Sequence, residues 1–243
     1  MFKYQYSTKN QLNNKYTFNY LNTINMEVPF VGRNDFLSQL KIQYPVNKII
    51  IVHGLKSIGK TRTVSEFVNR VRENVTNLEE IQIRLTDANI QRAIFLRLAT
   101  LLHVVISNSG EWDENIIPII DAFNDKNNVE YIIHIDNCEH IFDGPISIRG
   151  SFKIFCCQLV KETHNVHILI SSSVFTNDFG EDAFISELQP LSMSESSELL
   201  RSFMTDREKD VAKVAELCLG LPLALIMVGT YIRRLNNYLY LYE

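Results

Sequence analysis

The chain has 243 residues, 46% of them hydrophobic and 21% charged, an ordinary globular mixture that excludes wholesale disorder and fibrous repeats. A formal net charge of −4 argues against a protein whose main task is coating nucleic acid or an anionic membrane, while leaving room for a local basic site. The longest charge-free apolar stretch, Leu217 to Ile232, has 16 residues and is interrupted by Gly220, Pro222 and Gly229, so it reads as a buried loop and helix rather than the ~20-residue span a bilayer requires.

In chain order, residues 1–28 stand apart. They hold six aromatics (Phe2, Tyr4, Tyr6, Tyr16, Phe18, Tyr20), six asparagines, three lysines and a single acidic residue, Glu27. No helical or strand period runs through them, and few aliphatic residues are present to build a core. They read as a flexible extension or linker, or as a segment whose tyrosines anchor on a partner. From Lys48 the pattern becomes α/β. The run KIIIVH (48–53) is short, β-branched and bounded by Gly54, as a buried parallel strand should be. Thr61 to Glu73 follows as a helix with Val64, Phe67, Val68 and Val71 at spacings of three and four. EIQIRL (80–85) alternates as a second strand, and Ala88 to Val105 is a long helix with a wide apolar face. YIIHI (131–135) and VHILI (166–170) are further strands, with a helix around Phe152 to Glu162 between them.

Alternating apolar strands and helices imply a parallel sheet with helices on both faces. Near residue 190 the character changes. LQPLSMSESSELL carries Pro190 and a capping-box pattern from Ser192 to Glu195 ahead of a helix. Arg207 to Leu219 is a second helix stopped by Gly220, and Pro222 opens a third in an allowed first-turn position. The expected organisation is therefore an extension over 1–28, an α/β domain over 29–187 and a small all-α domain over 188–243. Cys138, Cys156, Cys157 and Cys218 form no CxxC pair and read as reduced packing thiols, with at most one of the vicinal pair facing the core. The amino terminus lacks the continuous apolar run of a secretory signal, and a cytosolic setting is expected. His134 reads as a packing residue inside a strand, and Trp112 as the anchor of a loop.

Residues 54–61, Gly-Leu-Lys-Ser-Ile-Gly-Lys-Thr, fit G-x-x-x-x-G-K-[ST]. A chain of this length shows that pattern by chance roughly once in a hundred at average residue frequencies. Here it also lies directly between a buried strand and an amphipathic helix, the setting its chemistry requires. Backbone amides of such a loop, together with the helix N-terminus, converge on phosphate oxygens. Lys60 can bridge β- and γ-phosphates, and the Thr61 hydroxyl can ligate magnesium. The strand Tyr131–Ile135 leads into Asp136, which puts a carboxylate at the carboxyl edge of the sheet, where a magnesium-linked acid belongs. On its own, aspartate after an apolar strand as often caps a turn.

In order along the chain stand Phe30-Val31-Gly32-Arg33, GLKSIGKT, IIHIDNCEH (132–140), HILISSS (167–173), LQPLS (188–192) and GLPLAL (220–225). That series resembles the NB-ARC family, signal-transducing nucleotide switches of the STAND class of P-loop NTPases, over about residues 29–235. The resemblance implies an ADP- and ATP-binding module with Mg2+ that is closed with ADP and exchanges to ATP, acting in signal transduction such as apoptosis or innate defence. By that resemblance Val31 and Arg33 pack on the base side of the nucleotide. Gly54, Lys56, Ser57, Ile58, Gly59, Lys60, Thr61 and Arg62 form the phosphate site, Thr61 and Asp136 hold the metal, and Pro222 closes the helical domain over the adenine. The partners implied are adenine nucleotide and, through self-association or docking, upstream and downstream signalling proteins; neither membrane nor nucleic acid is expected.

Three departures from the family pattern matter. Lys56 and Ser57 stand where glycines are usual, and a required positive φ there costs about 1 kcal/mol or more. Asn137 replaces the acid that commonly follows the metal aspartate, and an amide cannot accept a proton from water; Glu139 is the tentative substitute beside Asp136 in a catalytic role. Ser173 stands where an arginine would sense the γ-phosphate, and a hydroxyl brings no charge. Nucleotide binding with slow or impaired hydrolysis is therefore the leading expectation. The alternatives are a degenerate NB-ARC-like scaffold for protein association and a DNA-dependent initiator-type ATPase.

Overall fold

The structure, a computed structural model, describes residues 28–85, 90–106, 112–126, 128–203 and 208–239. The reading of residues 1–27 as an extension lies outside these, as does the loop before Trp112. Val31–Glu243 form one compact unit, and the few described residues before Val31 belong to a separate one.

Within the larger unit, helix α1 (Asn34–Gln43) precedes strand β1 (Ile49–His53), which runs through the loop 54–59 into α2 (Lys60–Arg72). Then come β2 (Leu78–Arg84), α3 (Ile90–Leu102), α4 (Trp112–Asn124), β3 (Glu130–Asp136), the single turn α5 (Glu139–Phe142), α6 (Ile146–Glu162), β4 (Val166–Ser172) and β5 (Phe184–Glu187). Helices α7 (Met193–Arg201), α8 (Glu208–Leu217) and α9 (Pro222–Leu239) complete it. The five strands form one sheet in the order β2-β3-β4-β1-β5, and every pairing is parallel.

Alternation along the strands decides what each face buries. On one face Ile49, Ile51, Ile81, Ile83, Ile133, Ile135, Ile168 and Ile170 join a core with α3, α4 and α6, in which Phe95, Phe123, Phe152 and Phe155 are fully buried. The other face carries Ile50, Val52, Ile132 and Leu169, all buried. It is covered by α2, whose Val64, Phe67 and Val68 are buried and which touches β1, β3 and β4, while α1 packs on α2. Helices thus cover both faces, as the apolar strands require.

Pro118 lies inside α4, where a proline typically costs about 3 kcal/mol. Ile116, Ile119, Ile120 and Phe123 are all buried at helical spacing, and that burial outweighs the break, each such side chain contributing ~1.5–3 kcal/mol. Cys156 is buried in the core and Cys157, half-buried, packs against its margin, so both members of the pair touch the core rather than one alone. After β5, α7 begins on a complete capping box. The Ser192 hydroxyl accepts from the Glu195 amide, and the Glu195 carboxylate accepts from the Ser192 amide. Helices α8 and α9 both pack on α7, and no helix among the described residues is long and apolar enough to cross a membrane.

Candidate functional site

Because all the strands are parallel, their last residues share one edge of the sheet. Register places Arg84 opposite Asp136, Asp136 opposite Ser171, Ser172 opposite His53, and His53 opposite Glu187. A ligand-binding crevice in an open α/β sheet belongs at that carboxyl edge, and there the chain turns out of β1 into the loop 54–59.

The loop is built on tight backbone. Gly54 has φ 152° and Gly59 φ 93°. A Cβ on Gly54 would meet the Leu188 carbonyl oxygen at 2.7 Å, so only glycine lets the connector after β5 lie against the loop. Of Lys56 and Ser57, Ser57 takes the left-handed conformation, φ 68°, and Lys56 does not; the strain falls on one residue. Ile58 is buried, whereas Leu55, Lys56 and Ser57 are exposed. Lys60, first residue of α2, donates from Nζ to the carbonyl oxygens of Gly54 (2.9 Å) and Leu55 (3.0 Å). Burial pulls its pKa below the ordinary lysine value, with the charges of Glu139 and Asp136 opposing that fall. Arg62 is exposed in the first turn of α2.

Thr61 and Asp136, 75 residues apart in sequence, meet. The Thr61 hydroxyl lies 3.0 Å from each oxygen of the Asp136 carboxylate. That carboxylate is buried and also accepts from the Ser171 hydroxyl, and Arg84 reaches it with Nε at 3.4 Å. Ser171 spends its one proton on Asp136, so His134 Nε2, 3.1 Å from the Ser171 oxygen, must donate to it. Burial holds His134 well below the ordinary histidine range, with Asp136 opposing, so a neutral imidazole supports the chain His134–Ser171–Asp136.

Glu139 opens α5, and its Oε1 accepts from the Ser173 amide at 3.0 Å. Asn137 is exposed with φ 65°, a conformation asparagine tolerates better than most residues. Val31 is half-buried. Arg33 is 8% exposed, and its guanidinium is committed to main-chain carbonyls, Ile58 in the loop 54–59 at 3.0 Å and Gln189 in the connector. Burial lowers its pKa, opposed by Glu195. Pro222, 163 residues beyond Gly59, lies against it; a methyl on Gly59 would sit 3.7 Å from the proline Cγ.

The edge therefore gathers Gly54, Gly59, Lys60, Thr61, Asp136, Arg33 and Pro222, with Glu139 and Ser173 joined to each other beside them. Three neighbours carry no motif signal. Arg84 is visible only through strand register. Ser171 stands in the quoted HILISSS but is singled out only by strand order, since β4 lies between β1 and β3. Glu195 is recognisable in sequence as a helix cap, not as a partner of Arg33.

No family model matches the chain, and no curated protein matches its sequence. Its fold is similar to solved structures. Cdc6p of Pyrobaculum aerophilum superposes with a TM-score of 0.66 at 14% identity over 88% of this chain and 65% of that one. The Walker-type ATPase of Pyrococcus abyssi gives 0.58 at 14% identity over 84% and 68%. A STAND protein with a tetratricopeptide repeat sensor from Pyrococcus horikoshii gives 0.53 at 19% identity over 82% of this chain and 29% of that one. The chain spans about two thirds of the first two and less than a third of the last. It shares the parallel α/β fold of these structures.

Proposed function

We propose that the chain is an adenine-nucleotide-binding switch module of NB-ARC type, with a nucleotide domain over 29–187 and a helical domain over 188–243 that closes on the nucleotide through Pro222. The observation that carries this reading is the meeting of Thr61 and Asp136 at 3.0 Å beside a loop bridged by Lys60. The donor set fits the ligand. A hydroxyl and a carboxylate are the hard oxygens Mg2+ takes, and the loop's amides with the α2 N-terminus suit phosphate. When bound, Mg2+ neutralises charge on the phosphate oxygens.

In this reading Lys60 exchanges its two carbonyl partners for phosphate oxygens, and Asp136 is held in place for the metal by Ser171. Hydrolysis is slow. Asn137 offers no base, Glu139 already accepts the Ser173 amide on one of its two oxygens, and Ser173 brings no cation. Thermal melts test binding: ADP with Mg2+ raises the Tm of the wild-type chain and leaves Lys60→Ala unmoved. A wild-type chain unshifted by any adenine nucleotide would overturn the reading and favour a scaffold.

A second reading is favoured by the likeness to initiator structures, among them an Aeropyrum pernix ORC1 protein in complex with DNA, TM-score 0.59 at 14% identity over 86% of this chain and 62% of that one. It is a DNA-dependent ATPase. An electrophoretic shift with duplex DNA at moderate salt supports it if a complex forms, and its absence leaves the switch.

A further inference from the structure

The Glu195 carboxylate divides its two oxygens between two distant segments. Oε2 accepts from the Ser192 amide at 2.7 Å and closes the cap of α7. Oε1 accepts from the Arg33 amide at 2.8 Å, across 162 residues. The receiving turn is shaped for it. Gly32 and Arg33 are consecutive left-handed residues, φ 73° and 66°. A Cβ on Gly32 would lie 2.2 Å from Glu195 Oε1, so the carboxylate rests on bare backbone.

From that same turn the Arg33 side chain runs the other way, to the Ile58 carbonyl inside the phosphate loop at 3.0 Å and to the Gln189 carbonyl just ahead of α7. Ile58 sits between strained Ser57 and Gly59, so the direction of its carbonyl is tied to the loop's conformation. A continuous path of polar contacts therefore joins the first helix after residue 188 to the loop proposed to hold phosphate. Burial opposes ionisation of Glu195, but the Ser192 and Arg33 amides, the Ser192 hydroxyl and the Arg33 charge together hold its carboxyl below the usual range. It is a carboxylate, with both oxygens accepting.

We infer that Glu195 is a positioning residue that couples the conformation of the phosphate loop to the docking of α7, acting through the Gly32–Arg33 turn. This rests on the nucleotide reading above for its consequence, which is that nucleotide in the loop and helical closure favour each other. Loosening α7 slackens Arg33 and with it Ile58; ordering the loop fixes Arg33 and seats Glu195.

Two variants separate coupling from mere helix stability. Ser192→Ala removes the hydroxyl half of the cap and leaves both carboxylate contacts. Glu195→Gln keeps length and one acceptor oxygen but presents an amide N–H to one of the two backbone donors, so it cannot serve both. Hydrogen exchange on the whole chain without nucleotide is the first readout. Glu195→Gln is expected to speed exchange at least about threefold both in α7 and in residues 55–61, whereas Ser192→Ala speeds it in α7 alone. ADP titration with Mg2+ is the second, in which Glu195→Gln weakens binding at least about fivefold and Ser192→Ala stays within about twofold of wild type. Loop exchange or ADP affinity that is the same in the two variants would overturn the coupling. Failure of the wild-type chain to bind ADP would overturn the nucleotide reading instead, and the exchange comparison without ligand would still decide the mechanical link.

Discussion

Ser57 and His167 carry strain and buried charge chemistry that can be measured one residue at a time. Ser57 holds φ 68° in an exposed loop. Left-handed backbone costs a non-glycine residue about 1–2 kcal/mol, and glycine returns about 0.5–1 kcal/mol of that as extra chain entropy. Ser57→Gly should therefore stabilise the ligand-free chain by up to about 1 kcal/mol, a rise in Tm of about 2–4 °C; an unchanged or lower Tm would show that Ser57 is unstrained.

His167 lies at the start of β4, stacked on Tyr44 at 4.1 Å. Burial, with the Lys48 charge adding to it, pushes its pKa down from 6.5 to about 4, against a backbone hydrogen bond with Tyr44. The unfolded chain therefore takes up the proton first as pH falls. Stability is full above about pH 6.5 and declines toward pH 4, by roughly 3 kcal/mol for this residue. Buried His134 adds a loss of the same sign. Urea melts of His167→Phe across that range should show a shallower acid limb than wild type, and an identical limb would refute the assignment. At this scale the sequence singled out Lys60 and Thr61 because the loop motif is contiguous, and Asp136 because it ends an apolar strand. It read His134 as packing because the hydrogen bond to Ser171 depends on which strand lies beside β3, and no spacing reports that.

Among elements, legibility followed hydrophobic pattern. Strands β1, β3 and β4 were readable because they are buried on both faces and rich in isoleucine. Helix α6 begins at Ile146, earlier than the expected Phe152, because Ile146 and Ile148 are exposed and give its first turn no core-facing period. Helix α4 was hidden by Pro118, and β5 by its length of four residues, too short for any alternation to register. Helix α1 has only Leu37 and Leu40 buried, too little apolar face to announce itself.

The turn at Gly220 was legible as a helix stop but not as a joint. Its carbonyl accepts from the Leu191 amide at 2.9 Å, and a Cβ there would lie 2.3 Å from the Leu191 carbonyl oxygen, with φ already 68°. Gly220→Ala must push apart the connector that seats Pro222 against the loop, and a loss of about 2–3 kcal/mol is expected from overpacking and backbone strain together. Gly180→Ala is the control. Gly180 also has positive φ, but nothing lies within 4 Å of its Cβ position, so it should lose only the strain. Equal urea midpoints for the two variants would contradict the joint.

For the whole molecule, the sheet order β2-β3-β4-β1-β5 converts local motifs into one site. It brings the loop after β1 and the acid that ends β3 to one edge with β4 between them, so that Ser171 becomes part of the Asp136 arrangement. The connector 188–191 then crosses the loop, and Arg33 joins loop to connector. Composition argued against a nucleic-acid coat and offered no apolar run of ~20 residues, but it hinted at none of this, because site chemistry here occupies a few residues in an ordinary chain.

The direct measurement is isothermal titration of the whole chain with ADP, and separately with ATP, in magnesium buffer and again in EDTA. Saturable one-to-one heat is expected, weakened by EDTA and abolished by Lys60→Ala. No heat from the wild-type chain with either nucleotide would contradict a phosphate-binding role for the loop.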